Sequence, residues 1–81
     1  MSSNNEVLDR VKDVLKTVGK FDDSKEIKLS DDIYQDLGIQ STAALDLLLS
    51  LEDEFDIAIP DEAFGEARLV SQLVAVVSSL Q

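Results

Sequence analysis

The feature that most constrains this chain is a run of apolar residues spaced three and four apart between Ala44 and Phe55. At one hundred degrees per residue, Ala44, Leu47, Leu48, Leu51 and Phe55 fall within one arc of roughly a third of the circle, the width of a core-facing helical stripe. The same spacing recurs in Val7, Leu8, Val11, Val14, Leu15 and Val18. That first helix, of about four turns, follows a Ser3-x-x-Glu6 capping box and ends at Gly19, where a left-handed C-cap is wanted. A last helix from about Leu69 or Val70 to Leu80 presents Leu69, Leu73, Val76, Val77 and Leu80, but Arg68 and Leu69 are poor caps for its start. Pro60 or Asp61 opens a short helix through Phe64. The predicted fold is all-α: a four-helix bundle of three longer helices and one short one, a single domain over residues 1–81, with a long connection between helices 1 and 2.

That connection, from about Lys20 to Ile39, is longer than loops in small domains usually are, which points either to a functional loop or to packing of its own, and the residues support the second in part. Phe21, Ile27, Leu29, Ile33 and Leu37 are spaced to tuck inward, and Ser30-Asp31-Asp32 suits the start of a single helical turn. An acidic Ca²⁺ loop starting at Asp22 fails, because its sixth position is Ile27 rather than glycine and its twelfth is Ile33 rather than glutamate. After the second helix, Asp56-Ile57-Ala58-Ile59-Pro60 reads as a loop that buries both isoleucines, since Pro60 disfavours helical angles at Ile59.

Composition narrows the chemistry. The chain has no cysteine and no histidine, which removes disulfides, thiolate nucleophiles, the usual zinc sites and imidazole catalysis. The net charge of −10 is unevenly placed. Residues 1–28 hold six acids and six bases, whereas residues 29–81 hold eleven acids and one base, Arg68. Such a surface repels nucleic acid and anionic lipid and favours basic partners. No signal peptide or membrane span is legible, so a cytoplasmic protein, and a monomer, is expected. Met1 and the capped start favour a free-standing protein.

Ser41 stands at the mouth of the second helix, where a serine ordinarily acts as a cap. The face that continues down from it holds Thr42, Leu45, Asp46, Leu49, Glu52, Asp53 and Asp56. Two leucines set among carboxylates have the anatomy of a transient docking spot, an apolar anchor with a charged rim.

The stretch Asp36-Leu37-Gly38-Ile39-Gln40-Ser41, followed by Leu47-Leu48-Leu49-Ser50-Leu51-Glu52-Asp53-Glu54-Phe55-Asp56-Ile57-Ala58-Ile59-Pro60-Asp61-Glu62, resembles the acyl carrier proteins. The resemblance implies a four-helix carrier whose serine, here Ser41, is esterified with 4′-phosphopantetheine taken from coenzyme A by a phosphopantetheinyl transferase. The terminal thiol of that arm then holds acyl groups as thioesters for partner enzymes of fatty-acid or polyketide-type biosynthesis. A chain that carries no catalytic pair of its own fits such a shuttle, because the reactive thiol arrives with the prosthetic group. The resemblance assigns Asp46, Leu49, Glu52 and Asp53 to the surface that meets basic patches on acyl-loading and synthase enzymes, and Leu45 joins them by its place on the same helical face. Gln40 and Thr42 depart from the aspartate and bulky aliphatic residue most often found beside the serine. These two positions bear on transferase and partner recognition and point away from a housekeeping fatty-acid carrier. The segment from Phe64 to Val70 is faintly similar to peptidyl carrier domains of nonribosomal synthetases, which leaves an aminoacyl cargo as the alternative. An unmodified acidic interaction module, with Ser41 only a cap, is the remaining reading.

Overall fold

Helices form where the apolar spacing demands them. The computed structural model describes residues 3–81, with side chains from Glu6 onward. In chain order the helices are α1 (Ser3–Gly19), α2 (Ala44–Phe55, preceded by a 3-10 turn at Ser41–Ala43), α3 (Asp61–Glu66) and α4 (Val70–Leu80). The side chain of Ser3, half of the expected capping box, lies outside the described residues. Helix α1 packs against both α2 and α4, and α3 packs against α4. Among the described residues there is no strand, only one antiparallel bridge between Asp32 and Leu69.

The stripes meet in one core. Leu47, Leu48, Leu51 and Phe55 of α2 are buried against Val7, Val11, Val14 and Leu15 of α1 and Val70, Leu73 and Val77 of α4. Each such side chain removed from water contributes about 1.5–3 kcal/mol before the entropy of ordering is charged against it. The edges of the stripes fare differently. Leu8, Val18, Ala44 and Val76 are only half-buried, Leu80 at the end of α4 is exposed, and Val70, outside the predicted face, is fully buried.

The end of α1 corrects the sequence reading. The left-handed residue after α1 is Lys20, with φ +60°, not Gly19. The Phe21 N–H donates back to the Lys16 carbonyl at 2.8 Å and the Lys20 N–H to Thr17 at 3.3 Å, a Schellman closure. Gly19 is needed for a different reason: a Cβ there would stand 2.5 Å from the Phe21 ring. Helix α2 ends in the same way at Asp56, with φ +54°. Its last turn is clamped to α1 by Arg10, which pairs with the Glu54 carboxylate at 2.9 Å, donates to the Glu54 carbonyl and lies 4.6 Å from the centre of the Phe55 ring.

The long connection packs. Ile27, Ile33, Leu37 and Ile39 are buried, and Phe21 and Tyr34 are half-buried against the core. Leu29 is not tucked in; it is 46% exposed, while its carbonyl accepts the Ser71 N–H at 3.0 Å. The Asp31 carbonyl likewise accepts the Val70 N–H at 3.0 Å. These two bonds explain how α4 begins without a capping side chain at Leu69. Its first donors are satisfied by the connection, and the Gln72 amide oxygen reaches back to the N–H groups of Arg68 and Leu69 at 2.8 and 3.0 Å. Between α2 and α3, Ile59 is buried as expected, but Ile57 is only half-buried.

Candidate functional site

The connection ends in a segment that aims the chain into the 3-10 turn. Asp32 opens a tight turn: its Oδ1 accepts the N–H groups of Tyr34 and Gln35 at 2.8 and 2.9 Å, while Asp36 Oδ2 accepts the Asp32 N–H at 2.7 Å. This reciprocal capping follows from short carboxylates that bond backbone two and three residues on. The Gln35 N–H, ahead of the Tyr34 N–H and the Arg68 guanidinium, holds the Asp32 carboxyl below the usual carboxylate range against the opposing effect of burial. Gly38 then takes φ +73°, a left-handed angle that favours glycine. Ile39 is buried and donates to the Ile33 carbonyl at 3.2 Å, which anchors the chain one residue before Gln40.

Ser41 does not cap the helix. Gln40 occupies the N-cap position in extended backbone, the 3-10 turn runs from Ser41 to Ala43, and no side chain caps either this turn or α2. A cap residue needs non-helical angles, and Ser41 is already inside the turn. Its side chain is exposed, as are Gln40 and Thr42, whose side chains are joined by a long contact of 3.4 Å. The Ala43 N–H donates to Gln40, whereas the N–H groups of Ser41 and Thr42 find no backbone partner among the described residues. An uncommitted hydroxyl therefore sits with two free backbone donors beside it, an arrangement that suits a covalently attached phosphate ester. Ser41 also lines an open hollow of about 460 Å³ with Tyr34, Ile39, Gly65 and Arg68. Tyr34, Gly65 and Arg68 belong to no site predicted from sequence. The one available signal was that Arg68 is the only base after Lys28.

Down α2 from Ser41, Leu45 and Leu49 are exposed at 62% and 53%, large values for leucine, and Asp46 and Asp53 are exposed beside them. Glu52 differs from its neighbours. It is half-buried, and its Oε2 accepts the Ile59 N–H at 2.8 Å, so its carboxylate braces the loop after α2. No helix among the described residues is long and apolar enough to cross a membrane.

The comparisons with known proteins agree with this geometry. Residues 5–77 match the family of the phosphopantetheine attachment site. The chain is 36% identical to the mitochondrial acyl carrier protein of Saccharomyces cerevisiae over 80 residues, covering 95% of this chain and 64% of that protein. It is 37% identical to the acyl carrier protein of Clostridium acetobutylicum over 75 residues, covering 93% of this chain and 92% of that one. With the mitochondrial acyl carrier protein of Neurospora crassa it shares 31% identity over 74 residues, 91% of this chain and 55% of the relative. The chain thus spans nearly two thirds of the yeast relative and about half of the Neurospora one. With its helical bundle, these matches place it in the phosphopantetheine-binding family of acyl carrier proteins, whose prosthetic group is 4′-phosphopantetheine.

Proposed function

We propose that Ser41 is the residue to which a phosphopantetheinyl transferase attaches the 4′-phosphopantetheine arm, and that the chain shuttles acyl groups as thioesters on the terminal thiol of that arm. The observation that carries this is the exposed, uncapping hydroxyl of Ser41 at the head of the acidic helix. The chain's own share of the work is to present the hydroxyl and to dock; the arm, when bound, supplies the thiol. The partners are enzymes of fatty-acid or polyketide-type biosynthesis with basic docking patches. They read Gln40 and Thr42 beside the attachment point, and Leu45, Asp46, Leu49 and Asp53 along α2, with Glu52 contributing charge from its braced position. Electrostatic steering to such a face raises on-rates without demanding slow, tight complexes. An aminoacyl cargo is the alternative, supported by the faint likeness of the segment from Phe64 to Val70 to peptidyl carriers. We place the protein in the cytoplasm; two relatives named here are mitochondrial, so cell fractionation is the check.

The deciding experiment incubates the protein with coenzyme A, Mg²⁺ and a broad-specificity phosphopantetheinyl transferase and weighs it intact. The wild type gains one phosphopantetheine and Ser41→Ala gains none. No gain in the wild type with several transferases, or an undiminished gain in Ser41→Ala, would sink the assignment. Repeating the reaction with acyl- and aminoacyl-loading enzymes then separates the two cargo classes.

A further inference from the structure

Arg68 is the only cation among the fifty-three residues from 29 to 81, and it lines the same hollow as Ser41. Its backbone is fixed independently of its side chain. The Arg68 N–H donates to the Gln72 amide at 2.8 Å and its carbonyl accepts the Ile33 N–H at 2.8 Å. The guanidinium itself is loosely held. It is 57% exposed; its Nε stands 3.6 Å from Asp32 Oδ2, too far for a good hydrogen bond, and its Cζ lies 6.0 Å from the centre of the Tyr34 ring, at the limit of a cation–π contact. Asp32 spends its Oδ1 on the Tyr34 and Gln35 N–H groups and faces Arg68 with Oδ2 alone. A side chain with five donors in a planar fork is therefore left with most of them unused, on the hollow that the attachment hydroxyl also lines.

We propose that Arg68 is the counter-ion of the phosphodiester formed at Ser41, holding the root of the prosthetic arm over the hollow lined by Tyr34, Ile39 and Gly65. This rests on the reading of Ser41 as the attachment residue. Two facts favour it. A phosphodiester adds a further negative charge to a segment that already carries eleven acids against this single base, and a guanidinium fork matches a phosphate's oxygens better than any other side chain. Gly65 leaves the floor of the hollow open, with no atom within 4 Å of the position its Cβ would take. Arg68 acts here as a positioning residue; it takes no part in the transfer.

The test uses the full chain, ¹⁵N-labelled and modified by transferase and coenzyme A, with Arg68→Gln and Arg68→Lys alongside. Intact mass comes first, and absence of the gain at Ser41 brings down the attachment reading and this proposal with it. On protein of verified mass, the Arg68 Nε–Hε signal is expected to move by several line widths on modification. The ³¹P line is expected to be broad in the wild type, to narrow in Arg68→Gln and to recover part of its breadth in Arg68→Lys, while added salt narrows the wild type and Arg68→Lys and leaves Arg68→Gln unchanged. A mass gain with an unmoved Arg68 signal, or with equal ³¹P lines in all three proteins, overturns the proposal and leaves the attachment site standing. Unchanged amide spectra and melting temperatures of the unmodified variants show that the fold is not what moved; should Arg68→Gln not fold, the Arg68 signal of the wild type decides alone.

Discussion

At the scale of single residues, the approach to Ser41 depends on backbone angles more than on contacts. Gly38 adopts φ +73° with no atom near its missing Cβ, so a substitution there is strained by conformation and not by collision. Gly38→Ala is expected to lose about 1–2 kcal/mol of stability in urea titration, the cost of a left-handed non-glycine residue, and Gly38→Asn less, because asparagine tolerates that region. Equal losses for the two would mean that side-chain bulk, not φ, is the constraint. Asp32 supplies a pH dependence of known sign. Its folded-state pKa is lowered, first by the Gln35 N–H. It therefore contributes stability that is present above the unfolded carboxylate pKa and is lost as pH falls through the lower folded value. NMR titration of the Asp32 carboxyl should give a midpoint below that of an unstructured peptide, and Asp32→Asn should flatten the acid limb of the stability curve. A midpoint at or above the peptide value would remove the turn's capping from the account.

At the scale of elements, α2 carries both a core face and the proposed docking face, and Glu52 is where they separate. Its carboxylate satisfies the N–H of the buried Ile59, so Glu52→Ala is expected to cost about 1–3 kcal/mol by leaving that donor unpaired. Glu52→Gln keeps an acceptor and should retain most of the stability; a Gln variant as unstable as Ala would show that charge, not the bond, matters. The exposed residues should behave in the opposite way. Asp46→Lys, Asp53→Lys or Leu49→Arg is expected to slow transferase loading or partner turnover several-fold with helicity and melting unchanged, and unaltered kinetics would place the docking face elsewhere. The helices were legible because burial imposes their period, and Leu47, Leu48, Leu51 and Phe55 lie where that period puts them. What the period does not encode is how elements end against one another. The start of α4 looked uncapped because its partners, the carbonyls of Leu29 and Asp31, lie some forty residues earlier in the chain. Leu29 was misplaced for the same reason: pattern cannot show that its backbone is held by α4 while its side chain faces water. In the site, Ser41 stood out by its motif, but its neighbours Tyr34, Gly65 and Arg68 come from the connection, from α3 and from the link between α3 and α4, and meet it only in the fold.

At the scale of the whole molecule, the fold brings a charge-balanced helix against an acidic one. Residues 1–28 sum to zero and the remainder carries the entire −10, and α1 packs on α2 and α4. Only Arg10, reaching Glu54 across the α1–α2 seam, and Arg68, near Asp32, form ion pairs among the described residues, and both arginine side chains are substantially exposed. Exposed pairs of this kind contribute little, about 0–1 kcal/mol, so most of the carboxylates repel one another with only solvent to screen them. The Debye length shrinks from about 30 Å at 0.01 M to about 10 Å at 0.1 M, from beyond the span of a small domain to well within it. Raising NaCl over that range is therefore expected to raise the melting temperature, and a flat response would remove self-repulsion as a significant factor. The described residues hold no group of three or more ligating side chains that could bind a metal ion, so MgCl₂ matched in ionic strength should give much the same gain as NaCl; a clearly larger gain with Mg²⁺ would mean that the cation binds rather than screens. Arg10→Gln removes the clamp on the last turn of α2 and should steepen the salt dependence, since it raises the net negative charge where α1 and α2 meet. A variant that is destabilised equally at all salt concentrations would show instead that Arg10 acts through its hydrogen bond to the Glu54 carbonyl and its packing on Phe55.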